Sequence, residues 1–211
     1  MQVRVFLELA TGLALLGAAV ALVLHGDPGK PDTLFVNVGN VPGLNLGQGP
    51  DALVPAGPVP ETGTPVVPER IRIPSLEVDA PVVPIVVDPS GVLEVPPDPQ
   101  AVGWWAEGAQ PGAGLGTSIL AGHVNSATLG PGALAHLSDL RLGEGVIVVG
   151  GGQELHFRIE ALRQYPKNEL PATEAFSQAV EGRLAIVSCG GQFNRRTGHY
   201  LDNVIAYAVP V

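Results

Sequence analysis

Cys189 is the only cysteine in a chain of 211 residues. It ends an apolar run, Leu184-Ala185-Ile186-Val187, after one intervening Ser188. Gly190 and Gly191 follow, then Arg195 and Arg196, and a second apolar run from Val204 to Val209 closes the chain. The pattern predicts a strand with a thiol at its exposed end, a basic loop and a returning strand. A strand end holds a sulfur rigidly, glycines admit a substrate backbone, and nearby cations favour the thiolate. A single cysteine permits no intramolecular disulfide.

A thiol nucleophile needs a base, and the chain offers five histidines. His25 lies far from the rest. His136 and His156 fall inside a short helical pattern and a strand pattern, while His199 stands in the loop after Cys189. His123 differs from these. It ends the apolar strand Ser118-Ile119-Leu120-Ala121 after Gly122, as Cys189 ends its own strand, and Asn125 follows two residues later. Neighbouring strands ending at one rim would bring imidazole and thiol together, the geometry of acyl transfer. Such a reaction passes through a tetrahedral oxyanion, which a guanidinium from Arg195 or Arg196 can stabilise. The scattered His and single Cys lack metal-ligand spacing, so no metal or cofactor is expected. Gly150-Gly151-Gly152 lacks the pattern of a phosphate-binding loop and reads as a strand turn.

The elements that must position these groups are short and mostly extended. Arg70-Ile71-Arg72-Ile73 alternates and stops at Pro74; Val78 to Val87 is a broken strand with prolines suited to edge positions. Val92–Val95, Thr117–Ala121, Gly145–Gly150 and Glu154–Arg163 read as further strands. Ala133–Leu140 and Thr173–Val180 read as short helices, the second capped by Thr173. Trp104 and Trp105 read as packing residues. Many short strands with little helix predict a β-barrel or sandwich.

The net charge of −9 and the lack of a basic patch exclude nucleic acid as an expected partner. Leu9 to Leu24, extended by Val5-Phe6-Leu7, is apolar enough to span a bilayer, with Arg4 setting the N-terminus inside. Residues 1–25 are therefore expected to be an uncleaved anchor. Residues 26–67, rich in Gly and Pro, are expected to be a disordered spacer, and residues 68–211 the folded domain. Within the spacer stands Val59-Pro60-Glu61-Thr62-Gly63.

Several of these motifs together resemble the sortases, the cysteine transpeptidases of Gram-positive cell surfaces, and most of all the actinobacterial classes E and F. Ala185-Ile186-Val187-Ser188-Cys189 is similar to the family's Thr-Leu-x-Thr-Cys. Ala121-Gly122-His123-Val124-Asn125, Ile71-x-Ile73-Pro74 and Asp202-Asn203-Val204-Ile205 complete the likeness. The resemblance implies an all-β, closed eight-stranded barrel with one or two short helices, behind a transmembrane helix and linker. It implies catalysis by Cys189 and His123 on a Leu-Pro-x-Thr-Gly-like sorting signal, cut between Thr and Gly, with transfer to an amine of cell wall or pilin. It also implies a single-pass membrane protein with an extracellular domain. Ser188 stands where the family has Thr; Ser188, Asn125 and Arg196 are expected to be accessory or substrate-binding. Many sortases carry their arginine at the start of the last strand, where this chain has Asp202 and Asn203, so the role is expected to pass to Arg195 ahead of Arg196. On that likeness Val59–Gly63 differs from a sorting signal by Val for Leu, a match that ordinary linker composition also produces. A thiol hydrolase and a non-catalytic surface binding domain are the alternatives.

Overall fold

The structure, a computed structural model, describes residues 37–43 and 64–211. Its elements are β1 (Asn37–Gly39), β2 (Arg70–Ile73), β3 (Val78–Ile85), β4 (Val102–Trp105), β5 (Thr117–Gly122), β6 (Asn125–Ser126), β7 (Gly130–Pro131), β8 (Gly145–Gly150), β9 (Gln153–Pro166), α1 (Ala172–Ala175), β10 (Arg183–Asn194) and β11 (His199–Pro210). Lateral pairing runs β9-β11-β10-β5-β4-β3-β2-β8 and closes where β8 meets β9. The result is an eight-stranded barrel, and closure leaves the ring no free edge. β6 and β7 form a separate small ribbon.

Local chemistry explains several joints. β8 turns into β9 through Gly151 and Gly152, both at positive φ (57° and 75°), as a tight two-residue hairpin requires. β3 carries Pro81 and Pro84 because it changes neighbours midway: Val78–Pro81 pairs with β2, and Val82–Ile85 with β4. Each half therefore has one open side where a missing N–H costs nothing.

The apolar runs around Cys189 are continuous because both faces of the sheet are covered there. Leu184 and Ile186 face the barrel interior with Ile71, Leu120, Leu134, Val148 and Phe157. Ala185, Val187 and Cys189 face outward with Ile119, Ala121, Ile205 and Tyr207, under Val41, Leu93 and Ala175. Arg183 begins this outer row, buried over the Tyr207 ring at 5.0 Å. Its guanidinium donates to Thr117 Oγ1 at 2.9 Å and to the carbonyls of Pro42 and Glu174.

Four expectations change. Parts of the presumed spacer carry structure: β1 pairs with β9, the Arg163 guanidinium grips the carbonyls of Val38 and Gly39 at 2.6 Å each, and Val66 is buried in the core. The Ala133–Leu140 helix is replaced by turns and a 3₁₀ helix over Leu137–Asp139. Leu134, Leu137 and Leu140 are all buried, and their spacing of three fits three residues per turn as well as it fits an α-helix. The Thr173–Val180 helix shrinks to one turn. It starts at Ala172 because the Pro171 carbonyl accepts from the N–H groups of both Glu174 and Ala175, so Thr173 lies inside it and is no cap. Val92–Val95 reduces to one bridge, Val87 to Leu93. The expected anchor and Val59–Gly63 lie outside the described residues. Among the described residues no helix is long and apolar enough to cross a membrane.

Candidate active site

β5 and β10 run parallel, with Ser188 level with Gly122. His123 follows just past the end of β5, while Cys189 lies within β10. That strand was expected to end there but runs on to Asn194, because β11 keeps pairing with it. The two residues still occupy matching positions. Both continue the outward-facing row of their strands, Val187 and Ala121 being the preceding members. Ser188 Oγ, facing the other way, donates to the Gly122 carbonyl at 3.1 Å. It is fully buried and lines neither cleft at the site, so it fastens the two strand ends where substrate contact was expected.

His123 is held on every side. Its carbonyl accepts from Leu134 N–H, and Val124 accepts from Gly132 N–H at 2.8 Å. Gly132 lies so close to the His123 carbonyl that a Cβ would collide with it. Nε2 meets the Pro96 carbonyl at 2.9 Å. A carbonyl can only accept, so Nε2 carries the hydrogen and Nδ1 is the free base. Burial lowers the imidazole pKa, with the Pro96 bond opposing. Burial likewise pushes the Cys189 thiol up, with the Lys167 ammonium pulling the other way. Both directions favour neutral thiol and neutral imidazole at neutral pH.

Two open clefts flank the pair. One, about 690 Å³, is lined by His123 and Asn125 with Glu94, Pro97, Ser126, Gly198 and His199. The other, about 350 Å³, is lined by Cys189 with Val124, Leu137, Gln164, Gly191 and Tyr200. The glycines after Cys189 have an internal reason to be there. A Cβ at Gly190 would strike Val204, and one at Gly191, where φ is 69° beside a bulge, would strike the Asp202 carboxylate. They serve hairpin packing, and both also line the Cys189 cleft, where the sequence suggested room for substrate.

The structure brings Cys189, His123 and Asn125 to one end of the barrel. It does not bring either arginine to the thiol. Arg195 and Arg196 stand exposed at the β10–β11 turn, beside Gly198 and His199, which overhang the His123 cleft. Two other residues take their place at the sulfur. Lys167, just past β9, donates from Nζ to Cys189 Sγ at 3.5 Å. Asn203 is directly opposite Cys189 in the β10–β11 ladder, fully buried, with neither Oδ1 nor Nδ2 hydrogen-bonded among the described residues. Lys167 is the only lysine after residue 30, a compositional sign that could have drawn notice. Asn203 gave no sign beyond its position.

The family model of the sortase domain matches residues 71–211. No curated protein matches the chain by sequence. Among solved structures, the chain is similar to sortase C-1 of Actinomyces oris at 22% identity and TM-score 0.52, covering 70% of this chain and 75% of that one. It is similar to a lid mutant of Corynebacterium diphtheriae sortase A at 15% identity and TM-score 0.53, covering 72% and 74%. A Clostridium perfringens sortase D5 transpeptidase aligns at 18% identity and TM-score 0.50, covering 71% and 81%. These likenesses carry the barrel. With the family model spanning residues 71–211, and a cysteine and histidine level on two adjacent parallel segments, the chain belongs to the sortase family.

Proposed function

We propose that the protein is a cysteine transpeptidase acting on a Leu-Pro-x-Thr-Gly-like sorting signal. The observation that carries the reading is the level placement of Cys189 and His123 on one face, between two clefts. Cys189 Sγ gives its proton to His123 Nδ1 and attacks the Thr carbonyl; the C–S bond forms and the carbonyl electrons move to oxygen. Collapse breaks the C–N bond, and the proton passes from His123 to the leaving glycine amine. An incoming amine then loses a proton to His123 and attacks the thioester carbonyl; the C–N bond forms, the C–S bond breaks, and His123 returns the proton to the Cys189 sulfur. Asn203 Nδ2, buried beside Sγ and uncommitted, is the donor for the oxyanion. The clefts on the two sides of the pair suit a donor peptide near Cys189 and an acceptor near His123, which favours transfer over hydrolysis.

The partners on this reading are surface proteins with such signals and an amine of cell wall or pilin. The apolar run from Leu9 to Leu24, extended past Glu8 by Val5-Phe6-Leu7, supports a membrane anchor with the domain outside. The test is mass spectrometry of the full chain with a Leu-Pro-x-Thr-Gly peptide library, with and without an added amine. A thioacyl adduct at Cys189, discharged to the amine, supports the reading. No adduct leaves a binding domain, and release only as free acid leaves a hydrolase.

A further inference from the structure

A buried thiol is a poor nucleophile, because removing it from water disfavours the thiolate. Cys189 is only 2% exposed. If it is to ionise during a reaction, something nearby must stabilise the anion. The two arginines that the sequence offers for this stay at the hairpin turn.

β11 lies between β10 and β9, and Cys189, Asn203 and Tyr165 form one lateral row across the three strands. Lys167 is two residues past Tyr165 and so on the same face. Its backbone N–H is fixed to the Leu201 carbonyl at 3.0 Å, one step beyond the last ladder pair, Pro166 with Asp202. From there the side chain reaches over β11, and Nζ ends 3.5 Å from Sγ.

The remaining ionisable groups around the sulfur are otherwise engaged or turned elsewhere. On β11, Asp202 accepts from Gln164 Nε2 at 2.7 Å, on the opposite face. On β9, the Tyr165 hydroxyl donates to Glu174 Oε1 at 2.8 Å. On the hairpin, Tyr200 stacks edge-on with Phe193. At the end of β5, His123 Nε2 is bound to Pro96. Lys167 is thus the one cation in contact with Sγ among the described residues.

We infer that Lys167 is a catalytic residue, its ammonium being the counter-ion of the Cys189 thiolate. When the Sγ proton moves to His123, Lys167 compensates the charge left behind, from β9 and not from the β10–β11 turn. An opposite charge at this range typically lowers a pKa by about 1–3.

The inference rests on Cys189 as nucleophile, but its test reads the thiol and needs no substrate. Because Cys189 is the only cysteine, iodoacetamide alkylation of the full-length protein, followed across pH, reports this sulfur alone. Lys167→Met and Lys167→Gln should move the alkylation midpoint alkaline by about one pH unit or more. At neutral pH both should slow alkylation at least about threefold, since fewer thiolates form though each is more reactive. Lys167→Arg should stay near wild type, separating charge from packing. The inference is overturned if both neutral variants keep the wild-type midpoint, if Gln alone keeps it, or if Arg is displaced as far as Met. Should Met unfold the chain, Gln and Arg carry the same comparison. A displaced midpoint in a protein that forms no peptide adduct would sink the proposed transpeptidation and leave the Lys167 contact standing.

Discussion

The two faces of β10 do different work. On the inner face Leu184, Ile186 and Ser188 alternate into the barrel core or bond a neighbouring strand, and every group is satisfied. On the outer face Cys189 is a thiol under burial pressure, and Asn203 beside it has two buried atoms without partners. A buried polar atom left unpaired costs about 1–3 kcal/mol. Such a cost is not confined to one face, since Ser118 Oγ beside Leu184 on the inner row and the Tyr207 hydroxyl on the outer row are also unpaired among the described residues. Asn203, however, carries two such atoms directly opposite Cys189. The two-residue period of one strand thus puts core packing on one side and the proposed chemistry on the other.

The comparison breaks most completely at the thiol and its base. Cys189→Ala and His123→Ala should each abolish the covalent peptide adduct and transfer, while thermal unfolding stays within a few degrees of wild type. Retained cleavage by Cys189→Ala would remove the mechanism. Asn203→Leu should divide the faces most sharply. Acylation should fall by about 10²–10³-fold, as on losing one oxyanion donor, while stability in urea holds or rises because two orphaned polar atoms are gone. A drop in both would make Asn203 a structural residue.

On the inner face the signs reverse. Ile186→Ala should lower unfolding free energy by about 2–5 kcal/mol, with the acylation rate of the remaining folded protein nearly unchanged. A selective loss of acylation would show that the two faces are not independent. Ser188→Ala removes the polar member of the inner face. Losing its bond to Gly122 should cost about 1 kcal/mol and slow acylation modestly, as the two strand ends lose their tie; an effect on neither would leave that bond without consequence. The smallest effects belong to Arg195→Ala and Arg196→Ala, each expected within about twofold of wild-type acylation because surface positions away from contacts change little. A hundredfold loss at Arg195 would return the oxyanion role to the hairpin turn.

Cys189 and His123 were legible because each closes an apolar run. That punctuation marks the strand end at Gly122, but at Cys189 it marks only where the buried part of β10 stops, the strand itself continuing to Asn194. The barrel was legible as a choice between barrel and sandwich, resolved by resemblance and then by the closing pair β8–β9. The three-residue spacing of Leu134, Leu137 and Leu140 misled, because it does not distinguish an α-helix from a 3₁₀ turn. Asn37–Gly39 was hidden in Gly- and Pro-rich sequence. It has no apolar period of its own, and its order comes from Arg163, more than a hundred residues away.

Sequence by itself determined most of the barrel strands, the candidate nucleophile and the candidate base, since these follow from hydrophobic period and punctuation along the chain. It missed Val102–Trp105 as a strand and the continuation of β10 to Asn194. Tertiary structure alone decided which groups stand beside the sulfur. Lys167 and Asn203 reach it through the register of β9, β11 and β10, while Arg195 stands at the exposed hairpin turn and makes no hydrogen bond to the sulfur. A one-residue slip in either ladder would turn Asn203 to the other face. Register arises from packing between distant strands, and nothing within the short span around Cys189 encodes it.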